Sequence, residues 1–97
     1  MPMSNLPKHR FIRISSSAAI AAIPARVYGV MVVGGSAATT LKLYDAADGS
    51  GTPTIEFAAA IGTTVFVDLT EVGPVDFPTK LYAAIAGTGG FAYVWYD

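Results

Sequence analysis

Acids, bases and nucleophiles are scarce in this sequence. Only 13% of the 97 residues are charged, cysteine is absent, and His9 is the single imidazole. A hydrolytic triad needs a nucleophile, a base and an orienting acid in one place. His9 instead lies between Lys8 and Arg10 in a proline-containing stretch that reads as a solvated tail, and Ser15–Ser17 lack a G-x-S-x-G elbow. Paired carboxylates run glycosidase chemistry. The pairs here, Asp45 with Asp48 and Glu71 with Asp76, flank turns, where acids ordinarily bond the backbone. The run Asp45-Ala-Ala-Asp48-Gly-Ser begins like a calcium loop but lacks the alternating oxygen ligands and the closing bidentate Glu. Glycines at 34–35, 49–51 and 87–90 precede no helix and are followed by no Lys-Ser/Thr, so hairpin turns account for them better than phosphate cradles. Without cysteine there is no disulfide frame and no thiolate zinc site. The expectation is a non-enzymatic chain with no cofactor and no metal.

The aromatics and the early cations remain. Tyr82, Tyr93, Trp95 and Tyr96 have the chemistry to stack on sugars or bases. Aromatics on strands more often fill a core or a subunit interface, where Tyr and Trp bring area with a polar handle. Lys8, Arg10, Arg13 and Arg26 are crowded into the first quarter, whereas from Tyr28 onward two lysines face seven acids. The pattern is a basic arm on a mildly acidic body. It serves either solubility and local ion pairs or contact with an acidic neighbour such as another copy. The interface candidates are therefore Lys8, Arg10, Phe11, Arg13, Arg26, Tyr28, Tyr82, Tyr93, Trp95 and Tyr96. A net charge of −1 offers no field for nucleic acid. No run approaches the ~20 apolar residues of a membrane helix. Arg13 and the serines break any secretory h-region in 11–17, and the apolar run 18–24 is short and Ala-rich.

Short strands must position these residues. Period-two alternation or β-branched and aromatic enrichment predicts strands at 11–15, 26–33, 39–45, 54–58, 63–70, 80–86 and 91–96, with a short edge piece at 75–77. Residues 26–33 are nearly continuous in apolar character, which predicts burial on both faces or at an interface. Phe91, Tyr93 and Trp95 share one face of the last strand, and Ala92, Val94 and Tyr96 the other. Residues 15–19 read as a connection. The Ala-rich stretch 18–23 offers a helical turn stopped by Pro24, or a loop or edge segment. Seven or eight strands at ~10-residue spacing, with Gly, Pro, Asp and Ser turns, predict an all-β fold. It would be one antiparallel β-sandwich or jelly-roll-like barrel at 11–97, preceded by an extended arm at 1–10. A domain this small gains stability naturally by self-association.

The order of pieces in 26–97 carries a resemblance. "RVYGVMVVGGSAATTLKLYDAADGSGTPTI" is followed by "TTVFVDL", a Gly-Pro segment and the closing hairpin "KLYAAIAGTGGFAYVWYD". This resembles small virion proteins of tailed bacteriophages, which often end in a similar hairpin and include head decoration, or cement, subunits. The resemblance implies a structural protein on the capsid exterior, assembled in the host cytoplasm. Its implied partners are the major capsid protein and copies of itself, as a dimer or trimer, with neither nucleic acid nor membrane. It carries over no catalytic signature, and the basic segment 1–23 lies outside it. A tail, baseplate or fibre module is the neighbouring expectation. A carbohydrate-binding module is a third, which requires the aromatic rings to be exposed and coplanar.

Overall fold

Alternation along β-branched and aromatic runs gives each strand one face for a core and one for its surroundings. The computed structural model describes residues 10–21, 24–70 and 73–97. Among them are nine strands: β1 (Arg10–Ile14), β2 (Ala18–Ala21), β3 (Ala25–Val33), β4 (Thr39–Tyr44), β5 (Ile55–Ala59), β6 (Thr64–Asp68), β7 (Val75–Phe77), β8 (Leu81–Ala86) and β9 (Phe91–Tyr96). One sheet has the order β1-β9-β3-β6, with β7 also on β3. The other has the order β2-β8-β4-β5. Every pairing is antiparallel.

The pairs are nested: β1 with β9, β2 with β8, β3 with β6, and β4 with β5. A long antiparallel ribbon rolled so that its successive pairs fall alternately in two sheets is the jelly-roll form of the β-sandwich. Three-residue β7 stands outside the nest and extends the pairing of β3 beyond β6 through Ala25 to Val27.

The core lies between the sheets. Val27, Val30, Val32 and Val94 of the first sheet meet Leu41, Leu43 and Leu81 of the second, with Phe77 at one end, all fully buried. Burial of such a side chain stabilises by about 1.5–3 kcal/mol, so these positions dominate the fold's stability. Thr39 is the buried polar residue among those described, and its hydroxyl donates to the Ala37 carbonyl at 3.4 Å.

Of the alternatives open for the Ala-rich stretch, the structure takes the edge segment, as strand β2, rather than the helical turn, which brings the described strands to nine against about seven or eight expected. In β2, Ala18 lies opposite Ala83 and Ala19 opposite Tyr82. Ladder bonds to β8 outweigh alanine's modest helix preference, and Pro24 bars a helix from continuing. Between β1 and β2 the chain turns from one sheet to the other. The Ser17 hydroxyl secures that corner, accepting from the Ile85 N–H at 3.0 Å and donating to the Ile85 carbonyl at 3.4 Å.

Candidate functional site

The strand register assembles one aromatic field on the outer face of the β1-β9-β3-β6 sheet. Across the strands, Phe11 lies opposite Trp95, Trp95 opposite Gly29, and Gly29 opposite Asp68. In the next row come Arg13, Tyr93, Met31 and Phe66. Phe91, Val33 and Thr64 form the third. The rings meet at angles: Phe11 and Trp95 at 5.0 Å and 80°, Phe66 and Trp95 at 5.8 Å and 88°, Phe91 and Tyr93 at 5.7 Å and 87°, and Tyr93 and Trp95 at 6.3 Å and 41°. Arg13 caps the field, its guanidinium carbon 4.3 Å from the Phe91 ring centroid. Edge-to-face contacts hold such rings in place, each contributing about 0.5–1.5 kcal/mol beyond burial. Yet Phe11 is 52% exposed and Phe66 58%. Four strands at ~4.8 Å spacing by three outward rows at ~6.8 Å give a field of about 400 Å².

A bulge shapes one corner of the field. On β3, Val27 pairs with Tyr96 and Gly29 with Trp95, so Tyr28 is the extra residue. Val27 and Val30 are both fully buried, which sends Tyr28 and Gly29 together to the outer side. The Tyr28 hydroxyl donates to Asp97 Oδ2 at 3.0 Å. Gly29 leaves a hollow where a side chain would stand, for an added Cβ would lie 3.8 Å from the Trp95 ring and 3.4 Å from the Val67 carbonyl. Tyr28, Gly29, Phe66, Asp68, Thr70 and Trp95 line the resulting notch of about 160 Å³. Asp68 Oδ1 accepts from the Thr70 N–H at 2.9 Å and the Thr70 hydroxyl at 2.6 Å. These bonds, the hydroxyl's foremost, hold the carboxyl below its ordinary range.

Of the residues singled out in the sequence, Phe11, Arg13, Tyr93 and Trp95 share this field and Tyr28 borders it. Arg10 stands at the start of β1 opposite Tyr96, whose ring packs against the core. Arg26 lies 3.2 Å from Asp76 at one end of the sandwich, beside a cavity of about 510 Å³ that Asp97 also lines. A hydrogen bond with Tyr28 and the charge of Asp76 raise the Arg26 pKa. Tyr82 is on the other sheet, edge-on to Tyr44 at 6.3 Å, with Gly49 of the 45–54 loop against both rings. The four candidate stacking residues are thus divided between two sheets. Lys8 and His9 lie outside the described residues, as does Glu71.

Two of the turn acids bond backbone N–H groups, whereas Asp76 lies in β7 and forms an ion pair. Asp45 accepts from the Thr79 and Lys80 N–H groups, Asp48 accepts from Ser50, and Asp76 pairs with Arg26. The sequence pattern puts Phe91 on one face with Tyr93 and Trp95 but does not join Phe66, Met31 and Gly29 to them. Alternation placed Phe66 away from Val65 and Val67, but only the cross-strand register brings it beside Trp95.

No protein-family model, no curated protein and no solved structure matches this chain.

Proposed function

We propose that this protein is a non-enzymatic structural subunit that works by docking the aromatic face of its outer sheet on a protein partner. The setting is the exterior of a tailed-phage head, where it acts as a decoration subunit on the capsid lattice. The observation that carries the docking reading is the outer-face field of Phe11, Phe66, Phe91, Tyr93 and Trp95, in which Phe11 and Phe66 are exposed and the other three rings half-buried. A chain of this size exposes such a field at a cost in solubility, and aromatic anchors of this type carry most of the energy at protein interfaces. The angled rings favour a protein partner over a sugar, because saccharide stacking asks for exposed, coplanar rings and these neighbours cross at 41–88°. The phage setting rests on the resemblance of residues 26–97 to small virion proteins. A subunit that binds the assembled lattice and not free capsid protein stabilises the shell by mass action, with no acid–base groups required.

Two measurements test this. Sedimentation of the free protein gives its own assembly state. Electron cryo-microscopy of the particle then locates it, and the expected density is on the head exterior with the aromatic face buried. Density confined to the tail or baseplate overturns the head assignment. An aromatic face left in solvent on the particle overturns the docking reading.

A further inference from the structure

The notch beside Trp95 differs from the rest of the aromatic face in its chemistry. Tyr28, Phe66 and Trp95 line it, with Phe66 and Trp95 crossing at 88°, Gly29 leaves its floor open, and Asp68 with Thr70 forms one side. Its lining carries one carboxylate and no cation. The Asp68 carboxylate lies at the surface, and its bonds to Thr70 hold the carboxyl below its ordinary range. Both bonds fall on Oδ1, and neither engages Oδ2. Aromatic faces set around a negative charge attract organic cations. A planar guanidinium suits the corner better than an ammonium, because it stacks on one ring while directing N–H groups to a carboxylate. The volume sets the scale. About 160 Å³ is well below the roughly 300–1,000 Å³ of drug-sized ligand sites, and it suits a single side-chain head.

We propose that this notch receives an arginine side chain presented by the partner protein, so that Asp68 and the Trp95–Phe66 corner form the specificity-determining pocket of the docking face. The proposal deepens the docking reading and rests on it for the source of the arginine. The pocket itself is a property of the isolated protein and is tested there.

Trp95 is the single tryptophan of the chain, so its fluorescence and its indole N–H resonance report the notch without labelling. The probe is N-acetyl-arginine amide, titrated at constant ionic strength. N-acetyl-citrulline amide serves as the neutral isostere. The expected result is a saturable Trp95 response to the arginine probe with an affinity on the order of millimolar, and a response to citrulline at least about tenfold weaker. Asp68→Asn keeps an oxygen for the Thr70 bonds and removes only the charge. It should weaken the arginine probe about tenfold while the variant stays folded, its melting temperature lowered only slightly by loss of the charge-assisted bonds to Thr70. Phe66→Leu should weaken it by about fivefold. Equal responses to arginine and citrulline, or an Asp68→Asn variant that binds arginine as well as the parent, overturn the proposal. If that happens while Phe66→Ala still abolishes partner docking, the docking reading stands and the arginine pocket falls. If the probe binds as expected and the aromatic face proves solvent-exposed on the particle, the pocket stands and the docking reading falls.

Discussion

Replacing Phe66 by alanine separates a free docking face from a hidden core. Phe66 is 58% exposed, so folding buries a little under half of its surface. Full burial of a phenylalanine is worth about 1.5–3 kcal/mol. The loss here is therefore about 1 kcal/mol, with some tenths more for the edge contact on Trp95 at 5.8 Å. A domain of this size loses roughly 4–8 °C of melting temperature per kcal/mol, so Phe66→Ala should melt about 5–10 °C below the parent. Phe77 is fully buried. The same truncation there costs about 3–5 kcal/mol and should lower melting by at least about 15 °C or prevent folding. Partner binding should show the reverse order. As an exposed aromatic anchor, Phe66 is worth on the order of 2 kcal/mol to the interface, so its removal weakens docking about thirtyfold. The assay pairs thermal unfolding of the dilute protein, followed by circular dichroism, with binding to capsid shells by cosedimentation. If Phe66→Ala is as destabilising as Phe77→Ala, the face is structural core. If shell binding is unchanged, it is not the docking surface.

Other outcomes follow from particular contacts. Val30→Asp places an unpaired charge among fully buried valines and should abolish soluble protein. A folded variant with the parent's melting temperature would contradict the assignment of β3 to the core. Gly90→Ala drives a methyl into the Thr39 hydroxyl and should cost more than about 2 kcal/mol, whereas Gly51→Ala, at φ +83 in open space, should cost only about 1–2 kcal/mol. Comparative melting distinguishes them. The Asp48 and Asp68 carboxyls are held below their ordinary range by their bonds to Ser50 and Thr70. The unfolded chain then takes up protons first as pH falls, so their stabilisation is complete above about pH 4 and lost through the depressed folded values. In the double variant Asp48→Asn, Asp68→Asn, the melting temperature should fall less steeply below pH 4 than in the parent. Arg26→Gln breaks an exposed pair with Asp76 and should shift stability by no more than about 1 kcal/mol, measured by denaturant titration.

Much of the fold was legible because alternation is a local signal. The faces of β4, where Leu41 and Leu43 oppose Lys42 and Tyr44, and of β9, where Phe91, Tyr93 and Trp95 oppose Val94, follow directly from period two. The edge piece Val75–Phe77 was legible from the prolines around it. β2 was not, since a short alanine stretch has no periodicity and its state is decided by the neighbouring β8. The near-continuous apolar character of β3 reflects its central place: its inner face is core, and Met31 and Val33 of its outer face lie among aromatics. For the candidate site, the types of residue were visible and the grouping was not. Tyr82, Tyr93, Trp95 and Tyr96 look alike in the sequence, yet pairing sends Tyr82 to the other sheet and Tyr96 to the core side. The bulge at Tyr28, which opens the notch over Gly29, depends on a register that no local pattern encodes.

The nesting of strand pairs also sets an order of events. β4 and β5 are joined by the 45–54 loop, the smallest closure of the four nested pairs, and pair at the lowest entropic cost among them. β3 with β6, β2 with β8, and β1 with β9 then enclose progressively longer stretches of chain. A ribbon that closes from its middle outward folds slowly for its size, because each outer pair waits for the one inside it. On the ribosome, Phe11 emerges long before its partner Trp95 exists. Until then β1 holds an unpaired edge and the aromatic field is incomplete. The outer face is whole only once the last strand has paired with both β1 and β3.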